Sequence, residues 1–148
     1  MLTRISVRPV KAADLDGIVA IERASFGRDA YDRNLFAEFT RTCGELFLVA
    51  NKGSKLLGYS ITCIRGERAE LVSIAVHPRV RLRGAASTLM DSTLRRLRRR
   101  CVARFVLMVK VTNHEAIGFY EKYGFRRYRR ASRYYEDGAD GLLYVKVL

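Results

Sequence analysis

The hydrophobic period of this chain changes along its length, and that change restricts the folds open to it. Residues 2–8 read as a strand. Helical spacing follows, with Leu15, Ile18 and Val19 behind a capping Asp14, then Leu35, Phe36 and Phe39 on a second, shorter stretch. From residue 45 the pattern becomes two apolar runs, 45–50 and 55–64. They are joined by Asn51-Lys52-Gly53-Ser54, which is hairpin chemistry. Residues 69–76 read as another strand. Helical spacing returns over 84–100, where Ala86, Leu89, Met90, Leu94 and Leu97 form one stripe. A buried strand over 105–109 and a short helix over 114–122 come next. Two final strands, 125–135 and 141–148, flank the turn Glu136-Asp137-Gly138-Ala139-Asp140. The order β-α-α-β-β-β-α-β-α-β-β predicts an α/β (α+β) fold, a mixed central sheet of about seven strands with helices on both faces.

At 148 residues the chain suits one domain spanning 1–148, and 49% hydrophobic residues exclude a disordered chain. The opening residues lack the apolar core of a signal peptide, and no run approaches the roughly 18 apolar residues of a membrane span. Cys43, Cys63 and Cys101 are odd in number and widely spaced. That pattern argues against a disulfide framework, gives no metal-ligand spacing, and suits a reducing, cytoplasmic setting. The formal charge of +13 is carried mostly by arginine. Such a surface attracts polyanions or phosphorylated cofactors and argues against cationic substrates. Arg95, Arg98 and Arg99 also suit the negative end of the helix over 84–100, so their presence has a structural reason.

The strand over 69–76 leads through His77-Pro78-Arg79-Val80 into Arg81-Leu82-Arg83-Gly84-Ala85-Ala86-Ser87 and then the long helix. A helix start with small residues presents free N–H groups and a positive dipole end, which is an anion site. Arg81 and Arg83 add charge there. The segment is neither a Walker A loop nor a dinucleotide fingerprint, because it lacks Gly-Lys-Ser/Thr and has a single glycine. Taken alone, it is equally a helix start packed closely on a sheet.

A second segment, Asn113-His114-Glu115-Ala116-Ile117-Gly118-Phe119-Tyr120-Glu121-Lys122-Tyr123-Gly124-Phe125, decides between these readings. Asn113, Ala116, Phe119, Tyr120, Gly124 and Phe125 resemble the later motif of the GNAT N-acetyltransferases. Arg81, Gly84 and Ala86 resemble that family's phosphate loop. The branch most similar is that of the ribosomal-protein-alanine and protein N-terminal acetyltransferases. The resemblance covers the chain from end to end and implies acetyl-CoA as the cofactor, with no metal. It implies that residues 81–87, including Leu82, Ala85 and Ser87, hold the pyrophosphate. The pantetheine arm would pair along Ile74, Ala75 and Val76, and the amide of Val76 would face the developing oxyanion. Asn113 would contact the pantetheine or the helix start, beside Ala116 and Phe119.

The resemblance gives Tyr120 the role of general acid, and a phenol of pKa ~10 stays protonated at neutral pH. Core packing is the alternative use of that ring. The base of the ribosomal-protein-alanine branch is replaced here by Met108. Glu70 offers a carboxylate on the preceding strand, and the alternative is a surface charge paired with Arg65 or Arg68. An α-amine of pKa ~7.7–8.0 needs a base less than a lysine amine does. Tyr134 and Tyr135 beside the acidic turn resemble a peptide-groove hairpin, with Phe26 and Tyr31 on the facing loop. Plain strand aromatics, one of them in the core, are the alternative. The partner implied is a protein or peptide N-terminus, ribosomal proteins included. A small amine or amino acid is the second reading. A basic RNA- or ribosome-binding module without catalysis is the third, although the sequence shows no aromatic-interleaved RNA platform.

Overall fold

The computed structural model describes residues 4–81 and 84–148. The elements are β1 (Ile5–Pro9), α1 (Leu15–Phe26), α2 (Arg33–Thr42), β2 (Phe47–Lys52), β3 (Lys55–Arg65), β4 (Arg68–Val76), α3 (Ala85–Arg99), β5 (Arg104–Lys110), α4 (His114–Lys122), β6 (Arg126–Ala131) and β7 (Gly141–Val147). Their order is the predicted one. The seven strands are ordered β1-β2-β3-β4-β5-β7-β6, with β4 and β5 parallel and the other pairs whose register is described antiparallel. The chain divides into two compact units: Met1–Cys63 with Val72–Arg100, and Ile64–Leu71 with Cys101–Leu148.

The first unit has two apolar layers. One joins Leu15, Ile18, Val19 and Ile21 of α1 to Phe36 of α2 and to Phe47, Val49, Tyr59, Ile61 and Ala75 of the sheet. The other joins Leu48, Ala50, Leu57 and Val76 to Val80 and to Ala85 and Leu89 of α3. Strand alternation explains the division, because neighbours such as Leu48 and Val49 point to opposite faces. Gly58 lets β3 approach β4 closely: a Cβ there would lie 2.6 Å from the carbonyl oxygen of Ala75.

Two local expectations change in this unit. Asp14 occupies the cap position of α1, but its carboxylate accepts the Lys11 N–H at 2.7 Å and pairs with Arg8 at 2.8 Å. A turn of 3-10 helix at Ala12–Asp14 precedes α1 and redirects that side chain. Cys43 and Cys63 form a disulfide with Cα atoms 5.2 Å apart, against the expectation from their spacing. The end of α2 and the far end of β3 meet in space, which an interval of 20 residues does not reveal. Cys101 is the free thiol.

In the second unit, Arg68–Leu71 of β4 pairs with Arg104–Leu107, and β5 pairs with β7 along its whole length. Phe105 and Phe125 meet at a tilt with ring centroids 5.4 Å apart, and Tyr120 adds its ring edge to face with Phe125 at 5.8 Å. β6 ends at Ala131, so Tyr134 and Tyr135 lie in the following turn and not in a strand. Neither ring enters the core. Arg133 turns the chain at φ 50°, and Asp140 fixes the turn by accepting the Arg133 N–H at 2.9 Å.

Candidate active site

The N-terminus of α3 opens on glycine and a run of small residues. Gly84 stands at the cap position with φ 88°, in the left-handed region where an L side chain is strained. A Cβ on Gly84 would meet nothing within 4 Å, so backbone conformation, not crowding, calls for glycine there. No side chain caps the helix among the described residues. Ala85 is buried, Ala86 is half-buried and Ser87 is exposed, so the first turn presents backbone rather than bulk. Thr88 closes the turn behind it, its N–H and hydroxyl both donating to the Gly84 carbonyl. An uncapped helix start with open space at Gly84 fits a pyrophosphate.

Arg81, expected to add charge, lies exposed just before this turn. Its Nε donates to the Val76 carbonyl at 3.4 Å and its terminal nitrogen to the Ser25 hydroxyl at 3.4 Å. It therefore also ties the end of β4 to α1. Leu82 and Arg83 lie outside the described residues. Ile74 and Val76 pack with the α3 layer and Ala75 with the α1 layer. His77 N–H donates to the Leu57 carbonyl at 2.8 Å just beyond β4.

Phe26 ends α1 and is exposed. Tyr31 follows a turn of 3-10 helix, its ring 6.0 Å from Phe36 and 6.4 Å from Phe39. The segment between them is anchored by a residue that sequence reasoning missed. Glu22, only 2% exposed, accepts the Tyr31 N–H at 2.8 Å and the hydroxyl of Tyr59, which also contacts the Ser73 hydroxyl at 3.1 Å. Burial raises the pKa of Glu22, and the bonds from Tyr59 and Tyr31 partly offset this. The available signal was a charged residue on the apolar stripe that contains Ile18 and Ile21.

In the second unit, Asn113 caps α4, its side-chain oxygen accepting the Ala116 N–H at 3.2 Å. The expected contact with the helix start is therefore made. Ala116 and Phe119 are half-buried on α4, with Phe119 5.7 Å from Tyr120 and 5.1 Å from Tyr123. Tyr120 is buried, and desolvation pushes its phenol well above the ordinary range, with Tyr135 adding to the effect. The hydroxyl therefore keeps its proton across the physiological range.

Tyr134 and Tyr135 stand edge to face at 4.9 Å, and Lys110 lies over the Tyr135 ring at 5.2 Å. Lys110 also pairs with Asp137 at 2.8 Å, which holds the acidic turn to β5. Met108 packs where Gly141 passes: a Cβ on Gly141 would lie 2.8 Å from its sulfur and 3.2 Å from Cβ of Tyr134. Glu70 is exposed on β4, opposite Val106 in register. Among the described residues, neither Arg65 nor Arg68 forms an ion pair with it. No group of acidic, histidine or cysteine side chains among them could hold a metal ion.

Comparison with known proteins identifies the family and the fold. The model of the acetyltransferase (GNAT) family matches residues 15–125. An N-alpha-acetyltransferase of Sulfolobus acidocaldarius is 29% identical, over 96% of this chain and 92% of its own. The crystal structure of Ard1 from Thermoplasma volcanium superposes with a TM-score of 0.93 at 26% identity, covering 97% of each chain. The ribosomal-protein-S18-alanine N-acetyltransferase of Escherichia coli does so with a TM-score of 0.86 at 25% identity, covering 97% of this chain and 94% of that one. The chain belongs to the GNAT acetyltransferase family and is an acetyl-CoA-dependent N-acetyltransferase.

Proposed function

We propose that this enzyme acetylates the α-amino groups of protein N-termini. The observation that carries the reading is likeness over nearly the whole chain to an N-alpha-acetyltransferase and to a ribosomal-protein-alanine acetyltransferase. Acetyl-CoA supplies an activated acyl group as a thioester. The first amides of α3, from Ala85 to Ser87, take its pyrophosphate, with Gly84 leaving the approach open and Arg81, Leu82 and Arg83 completing the loop. The backbone of Ile74, Ala75 and Val76 pairs with the pantetheine arm, and Asn113, Ala116 and Phe119 flank it. The Val76 N–H donates to the oxygen that gains charge as the amine nitrogen bonds to the acyl carbon.

As the carbon–sulfur bond breaks, the Tyr120 hydroxyl gives its proton to the leaving sulfur. The amine's own proton passes to water or, through water, to Glu70. An α-amine with pKa ~7.7–8.0 is partly neutral at pH 7, so Met108 in the expected base position is compatible with this substrate. Phe26, Tyr31, Tyr134 and Tyr135 receive the first residues of the peptide. The same proposal keeps the enzyme in the cytoplasm, where nascent N-termini are made; the Cys43–Cys63 disulfide removes the cysteine argument for that setting, so the placement rests on the substrate alone. No described helix is long and apolar enough to cross a membrane.

The test is acetyl transfer from acetyl-CoA to a peptide library varied at its first two residues, with small amines and lysine side chains as competitors. Preferential modification of free peptide N-termini is expected. Turnover confined to small amines or to lysine side chains would overturn the proposal.

A further inference from the structure

β6 carries four arginines, Arg126, Arg127, Arg129 and Arg130, around a tyrosine, and it is the last strand of the sheet, paired only with β7. All five residues are exposed, and Tyr128 is 72% exposed. The register slips between Arg127, opposite Tyr144, and Arg129, opposite Leu143, so Tyr128 has no residue across from it. A bulge of this kind re-aims the extra side chain. Arg130 is committed to Asp140 at 2.6 Å. Among the described residues no carboxylate pairs with Arg126, Arg127 or Arg129. Near the end of α3, Arg100 pairs with Glu45 and Arg96 donates to Ser92, and the run Arg95–Arg100 holds no aromatic residue.

Charge on an edge strand has an ordinary use, since it blocks pairing with another sheet. A lone charge suffices for that, and an exposed tyrosine works against it. No aromatic-interleaved platform was evident in the sequence, but Arg126, Arg127 and Arg129 flank an exposed Tyr128 on this strand, and that combination has a more specific partner. The forks match phosphate oxygens, and the ring offers a face to an unstacked base. A duplex keeps its bases stacked, and an acidic peptide has no use for the ring. We propose that β6 is a docking strand for single-stranded RNA, with Tyr128 stacking on a base and Arg126, Arg127 and Arg129 contacting phosphates. This site is separate from the residues assigned to acetyl transfer and does not depend on the substrate.

The test is fluorescence anisotropy with a labelled ten-nucleotide oligouridylate, repeated across salt concentrations. Three phosphate contacts predict a slope of log K against log salt of about −2, a loss of about 15-fold between 50 and 200 mM. Tyr128→Ala should weaken binding about tenfold, and Tyr128→Phe should retain it. Arg127→Ala with Arg129→Ala should reduce the slope by about 1.4. Acetyl transfer to a peptide should be unchanged in each variant, which confirms that it folds. Equal affinity of the wild type and Tyr128→Ala, equal binding of duplex RNA, or equal competition by polyglutamate would each overturn the proposal.

Discussion

The carboxylate of Glu22 holds the backbone of Tyr31, with Oε2 accepting the Tyr31 N–H at 2.8 Å while the Tyr59 hydroxyl donates to Oε1. A helix residue thus fixes the entry to α2 through one acceptor pair. Glu22→Ala removes the carboxylate acceptor of the part-buried Tyr31 N–H and leaves the buried Tyr59 hydroxyl with Ser73, which costs about 2 kcal/mol. Urea unfolding should show that loss. The variant should also raise KM for peptide more than KM for acetyl-CoA, because Tyr31 belongs to the proposed peptide site. A midpoint within about 0.5 kcal/mol of the wild type would rule out the anchoring role.

The same group sets a pH dependence. Its native pKa is raised, chiefly by burial, so the native state holds the proton to higher pH than the unfolded chain. The stability this contributes is complete below the unfolded pKa and is lost as pH rises through the native one. Glu22→Gln should therefore flatten the decline in melting temperature from about pH 4 upward. Parallel curves for wild type and variant would assign the decline to other groups.

The disulfide between Cys43 and Cys63 closes a loop over a separation of 20 residues. Chain-entropy reasoning gives such a loop about 3 kcal/mol. Dithiothreitol should lower the melting temperature by roughly 10 °C. Cys43→Ala should show the same loss and no further response to the reductant, whereas Cys101→Ala should still respond. An unchanged wild-type melting temperature in dithiothreitol would mean that packing alone holds α2 against β3.

Tyr120 is buried on α4 with its proton firmly held. Tyr120→Phe keeps the ring packing against Phe119 and Phe125 and removes only the hydroxyl. In the proposed acid role this lowers kcat about 100-fold or more with little change in the affinity for acetyl-CoA. The phenol stays protonated well above its ordinary range, so it should contribute no alkaline limb to the pH–rate profile below about pH 10. Glu70→Gln should lower kcat with peptide if that carboxylate receives the amine's proton, and wild-type turnover would remove Glu70 from that role. Wild-type turnover in Tyr120→Phe would leave Tyr120 a core residue.

Most of the fold was legible because period and turn chemistry are local. Leu89, Met90, Leu94 and Leu97 announced α3, and Asn51–Ser54 announced the first hairpin. The glycine start of α3 was legible too, since Gly84 interrupts a strand-to-helix passage. What escaped depends on distance in space. Cys43 and Cys63 meet only after α2 packs against the sheet. Glu22 was missed because its partner Tyr59 comes from β3, 37 residues later. Tyr134 and Tyr135 read as strand by composition, but Asp140 captures the backbone at Arg133 and ends β6 first.

Gly84 separates backbone strain from ligand binding, because a second glycine matches it in one respect and not in the other. Gly66 also has a positive φ, 63° against 88°, and a Cβ at either position would meet nothing within 4 Å. Alanine at either site pays the left-handed penalty of about 1–2 kcal/mol. Gly66 lies in the turn between β3 and β4, whereas Gly84 opens α3. Gly84→Ala should relax toward a right-handed backbone and re-aim the first amides of the helix, weakening acetyl-CoA binding about tenfold or more. Gly66→Ala should lose similar stability and keep wild-type affinity. Calorimetric titration of both variants with acetyl-CoA separates the outcomes. Equal affinities would show that the α3 amides do not carry the pyrophosphate.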